Sequence, residues 1–191
     1  MKDKSITQAE DVACLKAISK GDETAFEMLY KRYQPMLLKF STGLLNGDVS
    51  QAADIVDDAL FDVWNKAANY REKAKVSTWI FTVTRFKTID YLRKQKNVTL
   101  TDNVETMLES DEAMPESLSS HKDEQERIKV CLDKLSDSHR EMILLMYYQG
   151  LTIKEIAQVT ETPENTVKTR MFHARDKMNS MLVKMGIKGY P

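Results

Sequence analysis

The sequence contains little glycine and proline, six and four residues in 191, and has no long apolar run. Scarce helix breakers favour long helices over the turn-rich strands of a β protein. A transmembrane helix needs about 20 apolar residues in a row, which excludes one here. Residues 1–16 also lack the apolar core and cleavage site of a signal peptide. The sequence therefore predicts an all-α, cytoplasmic protein.

Patterns typical of enzymes and metalloproteins are missing as well. The two cysteines, Cys14 and Cys131, lie far apart in apolar helical patterns, and the three histidines have no ligand spacing. There is no pair of catalytic carboxylates, no glycine-rich phosphate loop and no nucleophile elbow. We predict no catalytic residues, no metal site and no cofactor. The cysteines are interpreted as small buried residues, with a redox role left open.

Charge is segregated along the chain, although the net charge is only −1. Residues 48–62 contain five aspartates and no basic residue, whereas residues 85–96 contain five basic residues against Asp90 alone. Local fields of this kind steer a charged partner more than the total charge does. Solvated helix faces are the alternative interpretation of these blocks.

Helical periodicity runs through nearly the whole chain. The predicted helices are 8–20, 22–42, 49–67, 77–95, 123–135, 138–149, 153–160 and 164–184. Capping boxes are predicted at Thr24 with Glu27, at Ser138 with Glu141 and at Thr152 with Glu155. Residues 97–122 are acidic, rich in serine and weakly periodic, which is typical of a flexible linker. The fold class is thus predicted as all-α, with two helical-bundle domains, 8–96 and 123–185, on a flexible acidic linker.

The stretch LTIKEIAQVTETPENTVKTRMFHARDKM, residues 151–178, predicts two helices separated by Glu161, Thr162 and Pro163. The second helix has an inward apolar stripe of Val167, Met171, Ala174 and Met178 and a basic outer face. This is the pattern of a helix-turn-helix, whose second helix enters the major groove. The candidate DNA contacts are Glu164, Asn165, Lys168, Thr169, Arg170, His173 and Arg175.

Different residue types on this helix suit different roles. Basic side chains neutralise phosphates without reading sequence, whereas Asn165 and Thr169 offer donors and acceptors to base edges. Phe172 either touches a thymine methyl group or packs on a neighbour. A helical hairpin with a basic outer face and no DNA role is the alternative.

The segment LDKLSDSHREMILLMYYQGLTIKEIAQVTETPENTVKTRMFHAR resembles region 4 of the bacterial extracytoplasmic-function (ECF) sigma factors of the sigma-70 family. The fragments AFEMLYKRY, AADIVDDALFDVW and STWIFTVTRFKTIDYLRKQK resemble their region 2, in the same order. The sequence departs from the family pattern at Phe86, where asparagine is usual, and at Glu161 and Asn165, where glycines are usual. Glu161 is expected to adopt a positive φ, which costs about 1 kcal/mol.

The resemblance implies that the chain binds core RNA polymerase and directs initiation at −35 and −10 promoter elements. Core polymerase binding, to the β′ and β subunits, would involve Asp54, Ile55, Asp57, Asp58 and Phe61. The −10 element and its opening would involve Tyr70, Arg71, Lys73, Arg85, Lys87, Arg93 and Lys94. Further expectations are that Trp79 and Phe86 are core residues and that Asp90 pairs with an arginine.

The resemblance also implies an anti-sigma factor as a partner, and a linker that threads the RNA channel of polymerase, with a plain solvated tether as the alternative. A stand-alone repressor or activator would explain residues 123–185 but leave the acidic helix and basic track of the first domain without a role. A helical adaptor would leave the charge change at residue 161 unexplained. Run-off transcription with core polymerase separates these hypotheses.

Overall fold

A computed structural model of the protein describes residues 8–102 and 121–186, and every regular element within these ranges is helical. The helices are α1 (Gln8–Ile18), α2 (Glu23–Leu44), α3 (Val49–Lys66), α4 (Val76–Asp102), α5 (His121–Asp133), α6 (Asp137–Ile143), α7 (Ile153–Thr160) and α8 (Glu164–Lys184). The predicted all-α class is confirmed. Of the predicted linker, residues 97–102 continue α4, residues 121–122 begin α5, and residues 103–120 lie outside the described residues.

The first domain is a bundle of α1 to α4 around a closely packed apolar core. Leu29, Leu37 and Leu60 are fully buried, and Phe40 meets Phe81 edge to face with ring centroids 5.8 Å apart. Burying a side chain of this size stabilises the fold by about 1.5–3 kcal/mol. The contact between the two phenylalanines joins α2 to α4, which fixes the helix that carries the basic residues.

The inward face of α4 also carries threonines that satisfy their own hydroxyl groups. Thr84 and Thr88 are completely buried. Their hydroxyls donate to the main-chain oxygens of Ile80 and Thr84, at 3.1 and 2.9 Å, and Ser41 of α2 lies 3.2 Å from the Thr88 hydroxyl. Because these polar atoms have partners within and between the helices, their burial costs little.

The second domain contains α5 to α8. Helix α6 continues directly into a π-helical turn at Leu144–Tyr148, which ends at Gly150 with a φ of +69°. The core is formed by Met142, Ile156 and Val167, each fully buried. This packing holds α7 and α8 against α6.

One of the predicted capping boxes is confirmed and another is wrong. Thr152 begins α7: its hydroxyl accepts from the Glu155 amide, and its own amide donates to the Glu155 carboxylate at 2.9 Å. Helix α2, by contrast, is capped by Asp22, whose carboxylate accepts from the Ala25 amide at 2.9 Å, so the box predicted at Thr24 does not form. Aspartate and threonine are both good caps, and the aspartate comes first in the chain.

The box predicted at Ser138 is also wrong, for a reason that lies in the other domain. Helix α6 begins after Ser136, without a side-chain cap. Glu141 does not reach back to the start of the helix, because its carboxylate is bound by Arg85 of α4. A contact between distant parts of the chain has taken the place of a local one.

The two domains pack directly against each other, with α4 along α7 and α2 against α6 and the π-helical turn. Leu144 lies on the α2 backbone at Gly43, where an added Cβ would come within 2.8 Å of a Leu144 methyl carbon. Arg140 donates to the Asn46 side chain across the same boundary. Buried residues of both domains therefore form one continuous apolar cluster.

A buried charged cluster ties α1 to α2. Asp11 is 3% exposed, and its two carboxylate oxygens accept from Arg32 and from the Tyr33 hydroxyl, each at 2.5 Å. Burial and the hydrogen bond to Asp11 raise the pKa of Tyr33. Both oxygens of the carboxylate are thus used, and the Arg32 charge is neutralised within the fold.

We expect Asp11→Ala to lower the free energy of unfolding by about 2–3 kcal/mol, because it leaves a mostly buried guanidinium without its partner. Glu10→Ala is the matched control, since Glu10 is exposed and 3.8 Å from Arg32; we expect a loss of about 0.5 kcal/mol or less. Urea denaturation of both variants measures the difference. Equal losses would show that the buried pair contributes nothing special.

Candidate nucleic-acid interface

The turn between α7 and α8 is held by its backbone rather than by glycine. Glu161 adopts the left-handed conformation, with a φ of +50°, as expected from the sequence. The Thr162 amide donates to the Ala157 carbonyl at 3.0 Å, which closes the end of α7. Pro163 then immediately precedes the first residue of α8. The break seen in the sequence is a tight turn between two crossing helices.

Helix α8 buries the predicted stripe against the rest of its domain. Val167, Met171 and Ala174 are at most 5% exposed, and Met178 is partly buried against the same cluster. The spacing of four, three and four residues keeps these side chains on one face of the helix. The opposite face of α8 is therefore available to another molecule.

The exposed face carries most of the predicted DNA contacts. The exposed candidates are Glu164, Asn165, Lys168, Thr169, His173 and Arg175, and Arg170 is half-buried. The Thr169 hydroxyl donates to the Asn165 carbonyl at 3.0 Å, which leaves its lone pairs directed outward to accept. Phe172 is 67% exposed beside them. The arrangement is that of a recognition helix at the second position of a helix-turn-helix.

The electrostatic field at this face is positive. Burial lowers the pKa of the His139 imidazole in α6, and nearby His173, Lys177 and Arg170 of α8 lower it further. A cation is thus disfavoured at His139 because cations already surround it. The same field attracts phosphate.

A second basic surface lies on the first domain, in the loop before α4 and on α4 itself. Arg71, Lys73, Arg93 and Lys94 are exposed. Lys94 pairs with Asp90 at 2.8 Å, so the predicted partner of Asp90, an arginine, was wrong. The i to i+4 spacing brings the lysine to Asp90 on the same face of the helix.

Two other candidates on this surface are engaged within the domain. Lys87 is 3.4 Å from Asp62 of α3, whose pKa is lowered by a hydrogen bond from Lys66 and by Lys87. Tyr70 packs on Trp79 with ring centroids 5.4 Å apart, and its hydroxyl donates to the Ala74 carbonyl at 2.5 Å. Tyr70 therefore shapes the loop from inside, whereas Trp79 packs against the core as expected.

Phe86 was wrongly assigned to the core. Its side chain is 69% exposed, between Arg85 and Lys87. Spacing from the buried Ile80, Thr84 and Thr88 places residue 86 outward, a signal that the two threonines concealed because that face looks polar. An exposed aromatic ring beside basic side chains suits stacking on an unpaired base.

A third surface, on α3, is acidic. Asp54, Asp57 and Asp58 are exposed, and Phe61 is 62% exposed beside them. The Tyr30 hydroxyl donates to Asp57 at 2.7 Å, which raises the pKa of the tyrosine. Ile55 lies in a small buried cluster and is 6% exposed, so it supports this surface from below instead of forming part of it.

Within residues 8–102 and 121–186, no cluster of histidine, cysteine and carboxylate side chains is arranged to hold a metal ion. Among the helices of these same ranges, none combines the length and apolarity needed to cross a bilayer. Cys131 is buried as expected, and Cys14 is partly buried. Burial raises the pKa of both thiols.

Comparison with known proteins gives a consistent result for both domains. Sigma-70 region 2 matches residues 29–98, and sigma-70 region 4 matches residues 125–178. The chain is 31% identical to the ECF RNA polymerase sigma factor RpoE of Cereibacter sphaeroides over 183 residues, 93% of this chain and 97% of that protein. It is 27% identical to the ECF sigma factor SigW of Bacillus subtilis over 177 residues, 88% of this chain and 94% of that protein.

Solved structures agree. The sigma factor RpoE of Bartonella quintana, in complex with the anti-sigma factor NepR, has a TM-score of 0.67 and 25% identity, covering 83% of this chain and 96% of that one. CnrH, in complex with the cytosolic domain of CnrY, shares the fold with a TM-score of 0.69 and 20% identity, covering 92% and 98%. With region 2 and region 4 matched in order and a relative above 30% identity along nearly its whole length, the chain belongs to the ECF sigma factors of the sigma-70 family, which serve promoter-specific transcription initiation and are not enzymes.

Proposed function

We propose that the chain binds core RNA polymerase and directs it, in the cytoplasm, to promoters with a −35 and a −10 element. Three separate surfaces support this: the basic outer face of α8, the basic loop and face of α4, and the acidic face of α3. A repressor would need only the first of them. The exposed recognition face of α8, built on a closed helix-turn-helix, is the single observation that carries the proposal.

On the −35 element, α8 would enter the major groove with its N-terminal half. Lys168, Arg170 and Arg175 would neutralise phosphates and set the register of the domain. Asn165 and Thr169 would read base edges, since both lie exposed on the first turns of the helix. His173 and Glu164 flank this face and would border the contact.

On the −10 element, the first domain would hold an opened strand. Arg71, Lys73, Arg93 and Lys94, together with Arg85 and Lys87 once their present partners release them, would form a track for the backbone. Phe86 would stack on an extruded base and so offset the cost of its unstacking. Opening needs both, because charge alone binds duplex and single strand alike.

The acidic face of α3 would dock on the polymerase β′ subunit. Carboxylates around an exposed phenylalanine suit a basic helical surface with an apolar centre. On region 4, a cleft of about 870 Å³ lies between α5, the π-helical turn and α8, and Met146, Tyr147 and Leu182 are among the residues that line it. This cleft suits an apolar helix of the β subunit in the holoenzyme, or of an anti-sigma factor in an inhibited complex.

Run-off transcription tests the proposal. Promoters are first found by sequencing transcript starts in cells that overexpress the chain. We expect the purified chain plus core polymerase to initiate at these promoters, core alone not to initiate, and Phe61→Ala to lower the yield about tenfold through weaker docking. Val49→Ala is the matched control, a 56% exposed apolar residue on the same helix. A chain that shifts a palindromic operator unaided and never directs initiation would instead be a repressor.

The recognition helix gives a second test, in which phosphate contacts are separated from base contacts. We expect Lys168→Ala to weaken holoenzyme binding to all −35 sequences alike and to reduce the slope of log affinity against log salt by about 1. Asn165→Ala should instead change the preferred bases and leave that slope unchanged. Fluorescence anisotropy across a panel of −35 duplexes at several salt concentrations measures both. Identical behaviour of the two variants would contradict the division of roles.

Phe86 gives a third test. We expect Phe86→Ala to lower run-off transcription about tenfold on duplex promoters, since base stacking on an aromatic ring contributes about 1–3 kcal/mol. A template with a pre-opened, mismatched −10 region should restore transcription, because its strands need no separation. Phe86→Trp should keep activity on both templates. A loss that is equal on duplex and pre-opened templates would assign Phe86 to another step.

A further inference from the structure

The basic face of α4 is already bound in this structure, and its partner is the second domain of the same chain. Arg85 donates through Nε and Nη2 to the two Glu141 carboxylate oxygens, at 2.6 and 3.2 Å. The Glu141 side chain is 5% exposed and that of Arg85 23%. A bidentate pair in such a sheltered place is stronger than a surface pair.

Two more carboxylates of region 4 contact basic residues of region 2 at either end of the same face. Lys75 lies 2.7 Å from Glu155 of α7, and Lys96 lies 2.7 Å from Asp137 of α6. Burial raises the pKa of Glu155, but hydrogen bonds from Lys75 and from Thr152 outweigh it and leave that pKa lowered. Three acidic side chains of one domain thus lie along the basic helix of the other.

Apolar contacts hold the same arrangement. Leu144 is 3% exposed and covers the α2 backbone at Gly43, so no other side chain fits at that position while the domains touch. Lys39 lies over the ring of Tyr148, 4.6 Å from its centroid. The contact therefore combines charge pairing with close packing.

Promoter geometry is incompatible with this contact. The −35 and −10 elements lie about 25 base pairs apart, which at 3.4 Å each is about 85 Å along the DNA. A compact chain of this size is only about 40 Å across. One molecule cannot hold both elements while its two domains stay packed together.

We propose that region 4 is an intramolecular inhibitor of the −10 surface, in which Asp137, Glu141 and Glu155 occupy the places of DNA phosphates on Lys96, Arg85 and Lys75. Separation of the domains exposes Arg85 and permits promoter binding. The proposal rests on the proposed role of α4 at the −10 element. It adds that the chain restrains itself, without a second protein.

A reversible crosslink tests the closed state. A Cβ built at Gly43 lies 3.5 Å from Leu144 Cγ, so Gly43→Cys with Leu144→Cys places two Cβ atoms within the range of about 3.5–4.5 Å that a disulfide needs. We expect the double variant to form the disulfide on oxidation, to lose run-off transcription at least about tenfold, and to regain it on reduction. Wild type treated with the same oxidant is the control for Cys14 and Cys131.

A charge variant tests the inhibition from the other direction. We expect Glu141→Gln to raise the affinity of the free chain for a single-stranded oligonucleotide of the mapped −10 region about fivefold, because Arg85 loses its charged competitor. Asp176→Asn removes the same charge from an exposed site on α8 and should change that affinity less than about twofold. The pair of variants separates release of Arg85 from a general loss of negative charge.

Each outcome has a defined meaning. Failure of the disulfide to form, full transcription by the crosslinked chain, or equal effects of Glu141→Gln and Asp176→Asn would overturn the inhibition. If no variant, oxidised or reduced, directs initiation, the proposed function itself fails.

Discussion

The contact between Leu144 and the Gly43 backbone is the constraint on which the rest of the arrangement depends. Region 4 contains about 60 described residues, and a domain of that size buries a small share of its surface by itself. Leu144 reaches 3% exposure only because α2 covers it. With that contact made, α6 and α7 lie along α4, and the charged pairs follow from their positions.

Charge segregation acquires a structural meaning in this light. A chain with a net charge of −1 contains surfaces of both signs, and the two signs meet within the molecule as well as on its partners. Glu141 is the clearest case, because a local role as the partner of a helix cap was available and a residue 56 positions away took its carboxylate instead. A surface that binds a polyanion is, by the same chemistry, a surface that binds acidic side chains.

Local features were predictable from the sequence and long-range ones were not. The helix bounds, the left-handed Glu161 and the capping box at Thr152 follow from periodicity and from neighbours in the chain. The exposure of Phe86 was missed because buried threonines made the inward face of α4 look polar. Ile55 and Tyr70 were assigned to surfaces because composition identifies a helix or a loop but not which of its side chains packs inward. The pairing of Arg85 with Glu141 depends on how two domains meet, and no local pattern specifies that.

The missing methyl group at Gly43 has an evolutionary consequence. A glycine codon changes to alanine, serine or another small residue by one base, and any such side chain would prise Leu144 away from α2. Constitutively active forms of this regulator are therefore a single mutation away. Persistence of glycine at this site would mean that unrestrained transcription harms the cell more than a silent regulator does.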